Sequence, residues 1–326
     1  MSPLISIEGA SVTFTVRRGL FASTAVRAVR EVSLGIERGE HVAIVGESGS
    51  GKSTLGRAVL RLQGLSAGRI VVDGAEIAGL RDDALRRFRH RVGAVFQDPY
   101  ASLSPYMRVR DIVAEGLVIQ GTVPSAEHAD RVHAALEMVR LSPAAEIAER
   151  YPHTMSGGQR QRVAIARAMV LKPEILVADE PVSMVDASSR VEILGLLREL
   201  QAARGLTILS VTHDLASARH SADRIAVMYA GRIVEEGSAA SVVGDPRHPY
   251  TRALLAAVPA PDAANRLRDR AVVPGEPPSP AALPSGCAFH PRCPVAIAGR
   301  CAADDPRSLP RVGGGAVACH LEADGG

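Results

Sequence analysis

A glycine-rich loop after a short apolar run constrains this chain more than any other feature. Residues 42–45 are typical of a buried strand, and residues 55–60 continue as a helix. The loop between them consists of Gly46, Glu47, Ser48, Gly49, Ser50, Gly51, Lys52, Ser53 and Thr54. Glycines let successive backbone N–H groups turn towards one anion, and the helix N-terminus adds partial positive charge. The order strand, loop and helix therefore predicts an α/β fold with a phosphate-binding P-loop, in which Lys52 reaches the terminal phosphates and Ser53 binds magnesium.

The lysine of this loop is itself informative. Lys52 and Lys172 are the only lysines in the chain, and arginine occupies every other Lys or Arg position. A P-loop requires a compact ammonium rather than a planar guanidinium. Lysine at position 52 of such an arginine-rich chain therefore supports the P-loop assignment.

The composition excludes several classes of protein. The chain has 326 residues and a formal net charge of +3, so its charge gives no sign of a nucleic-acid-binding protein. No apolar run reaches the roughly 18 residues of a membrane-spanning helix, and the N-terminus lacks the basic and apolar regions of a secretory signal. We therefore expect a cytoplasmic protein that does not span a membrane.

Apolar periodicity predicts alternating strands and helices. Strands are predicted at residues 4–7, 11–16, 32–36, 42–45, 70–72, 92–96, 175–178, 206–211 and 225–228. Residues 98–150 have a helical pattern with Ser125 as one N-cap, and a later helix over about 188–204 is closed by Gly205. The pattern predicts a mostly parallel sheet flanked by helices, with an N-terminal antiparallel part and a helical insert. After Pro246 the chain becomes rich in proline, which indicates an appended C-terminal module.

A pair of carboxylates ends the apolar run at residues 175–178. Asp179 and Glu180 follow that run directly, which is a Walker B pattern. In such a pattern the first acid holds magnesium, mainly through water, and the second polarises the attacking water. Two adjacent acids at a strand end also occur in ordinary solvated turns, so this pattern alone leaves both interpretations open.

A second helix start with glycines lies further along the chain. Ser156, Gly157, Gly158 and Gln159 present N–H groups and a hydroxyl in the way that suits phosphate. This segment resembles the signature motif of ATP-binding cassette (ABC) ATPases. The remaining motifs of that family are matched by Gln97 of the Q-loop, Asp186 of the D-loop and His213 of the switch loop. Because all these motifs follow the family's order, the chain is identified as a member of the ABC ATPases.

Further segments resemble the ATPase subunits of oligopeptide and dipeptide importers. They are Asp98–Leu103, Tyr151–His153, His248–Thr251, and residues 275–280 and 286–293. The resemblance covers essentially the whole chain and implies an ABC ATPase domain over residues 1–245 with its helical insert at about 98–168. Residues 246–326 would form the small cysteine-containing C-terminal module of these importers.

The resemblance also implies an ATP site that two subunits share. The residues expected to act on the γ-phosphate and the attacking water are Lys52, Gln97, Glu180 and His213. Those expected to bind Mg2+ are Ser53, Gln97 and Asp179. Those expected to contact the ATP held by the P-loop of a partner subunit are Ser156, Gly157, Gly158, Gln159 and Asp186. Within this set Glu180 would be the general base or the residue that orients the water.

The chain departs from the family pattern at two places. The family commonly stacks adenine on an aromatic residue ahead of the strand before the P-loop, but residues 23–25 are small here, and Phe21 is the nearest weak candidate. Met155 opens the signature, where leucine is usual, and Met184 and Val185 occupy the two D-loop positions where alanine and leucine are usual. These apolar replacements should leave the chemistry intact.

Importers of this kind imply several partners. Closure and reopening of an ATPase dimer, homomeric or heteromeric, would drive peptides through two transmembrane permease subunits supplied by an extracytoplasmic solute-binding protein. This chain would then lie peripherally on the cytoplasmic face of the cell (inner) membrane. Cargo contacts lie on other polypeptides, so nickel or another small solute is an open alternative. A non-transport ABC ATPase acting on nucleic acid is less compatible with a single cassette that has no basic tract.

All four cysteines fall in the C-terminal module, at Cys287, Cys293, Cys301 and Cys319. Disulfides are not expected in a reducing cytosol, so the thiols suggest metal chemistry. The spacings include no CxxC knuckle of the kind typical of structural zinc. The resemblance favours a 4Fe-4S cluster with a structural or regulatory role; Zn2+ and unliganded thiols are the alternatives. His320 is an outside candidate as a ligand and is expected at the surface.

Overall fold

The computed structural model describes residues 2–18, 22–257, 275–311 and 314–323. Its strands are β1 Ile5–Arg18, β2 Ala22–Ile36, β3 His41–Val45, β4 Ala67–Val72, β5 Ala75–Glu76, β6 Val92–Val95, β7 Ile175–Asp179, β8 Thr207–Thr212, β9 Arg224–Tyr229, β10 Arg232–Ser238, β11 Leu309–Pro310 and β12 Ala316–Val317. Its α-helices are α1 Lys52–Val59, α2 Asp82–Arg91, α3 Pro99–Ser102, α4 Val109–Gln120, α5 His128–Met138, α6 Ala144–Ala148, α7 Gly157–Met169, α8 Ala187–Arg204, α9 Leu215–Ser221, α10 Ala239–Gly244, α11 Pro249–Ala257, α12 Arg300–Ala303 and α13 His320–Ala323. Short 3-10 turns lie at Ser125–Glu127, Pro152–Thr154 and His290–Arg292.

The chain forms two compact units, each made from separate stretches of sequence. The first contains the described residues of 1–36, 42–78 and 212–326. The second contains residues 37–41 and 79–211.

An antiparallel sheet of order β2-β1-β4-β5 forms one layer of the first unit. Ile5 lies opposite Ile36 on one side and Val72 on the other. The separately predicted strands at residues 4–7 and 11–16 are one continuous strand, β1, interrupted by register shifts after Ile7 and Ala10. Gly9 has φ +58 at this point, so a bulge rather than a turn separates the two predicted runs.

The second layer of the first unit contains the strand that leads into the P-loop. The five residues of β3 are buried, and β3 pairs in parallel with β9, as its continuous apolar sequence predicts. From β9 outwards the order is β10, β12 and β11, and all of these pairs are antiparallel. The expectation of a mostly parallel sheet was therefore too simple. The sheet is mixed, because short β9–β10 and β11–β12 connections leave no room for a crossover helix.

The second unit combines three parallel strands with helices. Its strand order is β8-β7-β6, and β7 is buried along its whole length. All elements between Pro99 and Met169 are helical, and their apolar faces share one core with β7. The predicted helix end at Gly205 is confirmed, since this residue is left-handed with φ +62.

One predicted helix start in this unit is wrong. Ser125 does not cap a helix with its side chain; it begins a 3-10 turn after Pro124, and α5 starts at His128 without a side-chain cap. Proline fixes the backbone before Ser125 in an extended conformation, which favours the tight turn. Within the described residues, no helix combines the length and apolar character needed to cross a bilayer.

Candidate nucleotide-binding site

The P-loop lies between the buried end of β3 and the first turn of α1. A Cβ atom on Gly46 would lie 2.1 Å from the Met228 carbonyl oxygen, and one on Gly51 would lie 2.1 Å from that of Ala28. Gly51 also has φ +99 and precedes the helix directly. Side chains at these two positions are therefore excluded by backbone of neighbouring strands, which lets the loop bend back over the N-terminus of α1.

The loop holds its cation in place. Lys52 is 5 % exposed, and its Nζ donates hydrogen bonds to the Glu47 carbonyl oxygen (2.7 Å) and to Ser50 Oγ (3.3 Å). The Ser50 carbonyl in turn accepts from the N–H of Gly231 at 3.0 Å. Ser53 follows Lys52 in the first turn of α1. The Lys52 ammonium and the N-terminus of α1 therefore lie close together at the P-loop, which favours the binding of an anion.

His213 is exposed and lies between β8 and α9. The turn that carries it is fixed by Asp214, whose carboxylate accepts the N–H groups of Ala216 and Ser217. The N–H of Asp214 donates to Thr212 Oγ1 at 3.0 Å. A capped helix therefore presents the predicted switch histidine to solvent on a short, well-defined turn.

In the second unit, the predicted Walker B and Q-loop residues meet. Asp179 ends β7 and is 8 % exposed. Glu180 follows it with φ +47, a conformation that is costly for a residue with a side chain, while its N–H donates to the Val211 carbonyl oxygen at 2.9 Å. Its carboxylate accepts a hydrogen bond of 3.0 Å from the Gln97 side-chain amide. The backbone turn and the amide together set the direction of the Glu180 carboxylate.

The signature segment forms a complete N-terminal cap on α7. Ser156 Oγ accepts from the N–H of Gln159 at 3.2 Å, and Gln159 Oε1 accepts from the N–H of Ser156 at 3.1 Å. A Cβ on Gly158 would lie 2.6 Å from Ser189 Oγ, and one on Gly157 would lie 3.2 Å from the Met184 carbonyl oxygen. Both glycines are therefore places where α7 closely approaches the D-loop and α8.

Asp186 of the D-loop caps α8. Its carboxylate accepts from the N–H and hydroxyl of Ser189 and from the Ser188 hydroxyl, and these bonds hold its pKa well below the usual range. The sequence analysis did not predict this role, although an aspartate directly before a helix is a capping signal. The contact of Asp186 with a partner's nucleotide remains a prediction.

Two residues that the sequence analysis did not single out contact the P-loop. The Glu47 N–H donates to the Tyr250 hydroxyl at 2.8 Å, and the Arg292 guanidinium pairs with the Glu47 carboxylate. These contacts join positions more than 200 residues apart, so no local sequence pattern could have indicated them. Phe21, the weak candidate for adenine stacking, lies outside the described residues.

The four cysteine sulfurs share an electrostatic environment. Burial and, to a smaller degree, the neighbouring Cys301, Cys319 and Cys293 raise the pKa of Cys287 to about 11. Each of the four sulfurs accepts a backbone N–H, from Phe289, Val295, Ile297 and Leu321 respectively for Cys287, Cys293, Cys301 and Cys319.

The described positions of these cysteines do not form a metal-ion site. Across the described parts of the chain, no group of three or more His, Cys, Asp or Glu side chains is arranged to hold a metal ion. His320, expected at the surface, is instead 8 % exposed, and its Nε2 lies 2.9 Å from the Asp304 carbonyl oxygen. The surface expectation for His320 is therefore wrong, because α13 packs that ring inwards.

Comparisons with known proteins agree with these motifs. Residues 29–183 match the family described as ABC transporter, and residues 234–301 match the one described as oligopeptide/dipeptide transporter, C-terminal region. A Brucella ovis protein named for peptide import and ATP binding is 48 % identical over 91 % of each chain. The oligopeptide transport ATP-binding protein AppF of Bacillus subtilis is 42 % identical over 98 % of this chain and 97 % of its own. This chain is also similar to a solved structure, the dimeric ATP-binding cassette MJ0796 in a post-hydrolysis state with ADP and phosphate. The TM-score is 0.64 and the identity 32 %, over 72 % of this chain and 98 % of that one.

Proposed function

We propose a role for each motif of this chain. The chain belongs to the ABC transporter family, and it is an ATPase, the ATP-binding subunit of a peptide importer. The observation that carries the proposal is the P-loop, where Lys52 and the N-terminus of α1 are held within one glycine-bounded turn. ATP would bind with its terminal phosphates on residues 46–54.

Oxygen ligands would hold the magnesium that accompanies ATP. Ser53, Gln97 and Asp179 supply hydroxyl, amide and carboxylate oxygens, which are the hard donors that Mg2+ prefers, with water completing the shell. When bound, the ion would neutralise charge on the phosphates. The low exposure of Asp179 and the position of Ser53 in the first turn of α1 support these two assignments.

Hydrolysis would depend chiefly on the positioning of water. Glu180 would accept a proton from the water that attacks the γ-phosphorus, while the bond from that phosphorus to the bridging oxygen of ADP breaks. The hydrogen bond from Gln97 supports this role because it fixes the orientation of the carboxylate. His213, exposed on its turn, would contact the γ-phosphate. Positioning and charge neutralisation are what phosphoryl transfer requires of a protein.

A second ATPase subunit, identical or different, would complete each site. Ser156, Gly157, Gly158, Gln159 and Asp186 would face the nucleotide of that partner. The start of α7 at Gly157, directly after Ser156, supports this because a helix N-terminus favours an anion. ATP binding would close the dimer and hydrolysis would reopen it.

These movements would drive two transmembrane permease subunits, which receive peptides from an extracytoplasmic solute-binding protein. The helical insert at about 98–168 would dock the permease, and the chain would lie peripherally on the cytoplasmic face of the membrane. We further propose that residues 1–245 act as the ATPase domain and residues 246–326 as an importer-specific module. The match of residues 234–301 to the oligopeptide/dipeptide transporter C-terminal region supports an importer-specific C-terminal part, although the match begins at residue 234 rather than 246.

Copurification tests the partners. A tagged copy of the chain, extracted from its native membranes in mild detergent, should retain two permease subunits and a peptide-stimulated ATPase activity. Recovery with nucleic acid, or stimulation by nickel rather than by peptides, would contradict the assignment.

We also propose that Cys287, Cys293, Cys301 and Cys319 hold a 4Fe-4S cluster with a structural or regulatory role. Thiols are the ligands that iron-sulfur clusters use, although the described positions of these four do not form a ready-made ion site. The proposal is supported by four thiols that lie close enough to influence one another, each with a backbone N–H donor that would stabilise a thiolate. Burial that raises the pKa values of Cys287, Cys293 and Cys319 disfavours isolated thiolates, which is the kind of penalty that a bound cation offsets.

Anaerobic purification tests the cluster. We expect iron and broad visible absorbance in the wild-type protein, and the loss of both when Cys301, the most buried thiol, is replaced by serine. Colourless wild-type protein that contains zinc would support the zinc alternative, and metal-free protein would leave four unliganded thiols.

A further inference from the structure

The P-loop carries an ion pair with the C-terminal part of the chain. Arg292 Nη1 lies 2.8 Å from Glu47 Oε2, and Nη2 lies 3.1 Å from Oε1, which is a two-point, fork-like contact. The Arg292 side chain is 6 % exposed and that of Glu47 is 25 % exposed. A buried guanidinium with this geometry fixes the direction of the carboxylate as well as its charge.

A rigid aromatic cluster supports this pair. Tyr229, Tyr250 and Phe289 have ring centroids 4.6 to 5.4 Å apart. The Tyr250 hydroxyl accepts the Glu47 N–H at 2.8 Å, and Arg292 Nη1 donates to the Tyr229 hydroxyl at 3.3 Å. Both the backbone and the side chain of Glu47 are therefore held by residues outside the P-loop.

The same residue is linked to the catalytic lysine. The Glu47 carbonyl oxygen accepts the Lys52 Nζ hydrogen bond of 2.7 Å. A rotation of the Glu47 peptide would break this bond and would turn an N–H group of the loop in another direction. Since a phosphate site depends on several amides pointing at one position, the contacts of Glu47 bear on the whole loop.

The proline-rich segment also lies against this loop. Residues 276–280 and residues 47–50 line one cavity of about 470 Å³, together with Tyr229 and Ala230. The Pro280 carbonyl oxygen accepts the N–H of Arg27 at 3.2 Å. The C-terminal residues thus adjoin the P-loop at several points.

We propose that Arg292 is a positioning residue of the ATP site, which holds Glu47 and through it keeps the P-loop in the conformation that binds ATP. The C-terminal module then influences nucleotide affinity through this ion pair. This inference rests on the proposed role of the P-loop as the ATP site. Arg292 touches neither nucleotide nor water in this role, and it acts through Glu47 alone.

Substitution of Arg292 by glutamine tests the inference. We expect the Kd for Mg·ATP, measured by isothermal titration on the full chain, to rise at least about fivefold, while kcat at saturating ATP changes less than about twofold. Arg292→Lys keeps the charge but loses the two-point contact, so its Kd for Mg·ATP should lie between those of the wild type and Arg292→Gln. Glu47→Gln should match Arg292→Gln, and the double variant should be no worse than either single variant.

Arg311 provides a matched control. It is another buried arginine of the C-terminal region, 3 % exposed and paired with Glu235 at 2.8 Å, and its contacts do not include the P-loop. Arg311→Gln should lower Tm at unchanged Kd. The inference is overturned if Arg292→Gln lowers Tm without changing the Kd for Mg·ATP. It is also overturned if Arg311→Gln raises that Kd as much as Arg292→Gln does. Should Arg292→Gln fail to fold, Arg292→Lys carries the same test, with a smaller rise in Kd expected. Wild-type protein that fails to bind Mg·ATP would instead contradict the proposed function itself.

Discussion

Replacement of Glu180 by glutamine is expected to leave Mg·ATP binding intact and to lower the turnover number at least about a hundredfold. Glutamine has the same shape and keeps an oxygen that can accept the hydrogen bond from Gln97, so the geometry of the loop should persist. It cannot accept a proton from water at neutral pH. The substitution therefore separates binding from the proton transfer that hydrolysis requires.

Two measurements check this expectation, the Kd for Mg·ATP by titration and single-turnover hydrolysis with excess enzyme. Glu174 offers a matched control, because it directly precedes β7 whereas Glu180 directly follows it. Glu174 pairs with Arg91 and Arg38 on the surface, and Glu174→Gln should retain normal turnover. Near-normal hydrolysis in Glu180→Gln would remove this carboxylate from its proposed role.

The motifs were predictable from sequence because each consists of neighbouring residues with one local purpose. Gly46 and Gly51 must lack side chains because backbone oxygens occupy that space. The spacing of the glycines in the loop already predicts this from the sequence. The burial of β7 likewise follows from its continuous apolar run. Motifs made of neighbouring residues can therefore be predicted from the sequence without knowledge of the fold.

Contacts between distant positions were not predictable in the same way. Gln97 and Glu180 were expected to act on the same water, yet their direct hydrogen bond joins positions 83 residues apart and depends on the packing of β6 beside β7. Arg292 and Glu47 belong to segments with no shared pattern. The error at Ser125 has a different origin, since the adjacent Pro124 changed the local turn.

The C-terminal region illustrates how these two kinds of information combine. Its cysteines were noticed as a group from composition, and the structure adds that all four sulfurs accept backbone N–H groups. Arg292 precedes Cys293 directly and also reaches the P-loop. If these thiols bind a cluster, Cys293 and the ion pair of the adjacent Arg292 connect that cluster to Glu47 through a short route that includes one non-covalent contact.

Loss of the Lys52 ammonium is expected to have the largest effect on ATP binding. Lys52→Met removes a buried cation that would form charge-assisted hydrogen bonds with two phosphates, so the Kd for Mg·ATP should rise at least about a hundredfold. Lys52→Arg should also bind poorly, because the ammonium fits between the Glu47 carbonyl and Ser50 Oγ, where a planar fork would clash. Titration of the full chain with Mg·ATP measures both variants.

Lys172 is the natural control for these experiments, as it is the only other lysine and is exposed. Lys172→Met removes the same charge from the chain and should leave the Kd unchanged. Normal binding by Lys52→Arg would mean that charge alone suffices at this position. Normal binding by Lys52→Met would show that the loop amides hold the phosphates without the ammonium, and the proposed division of roles in the P-loop would be wrong.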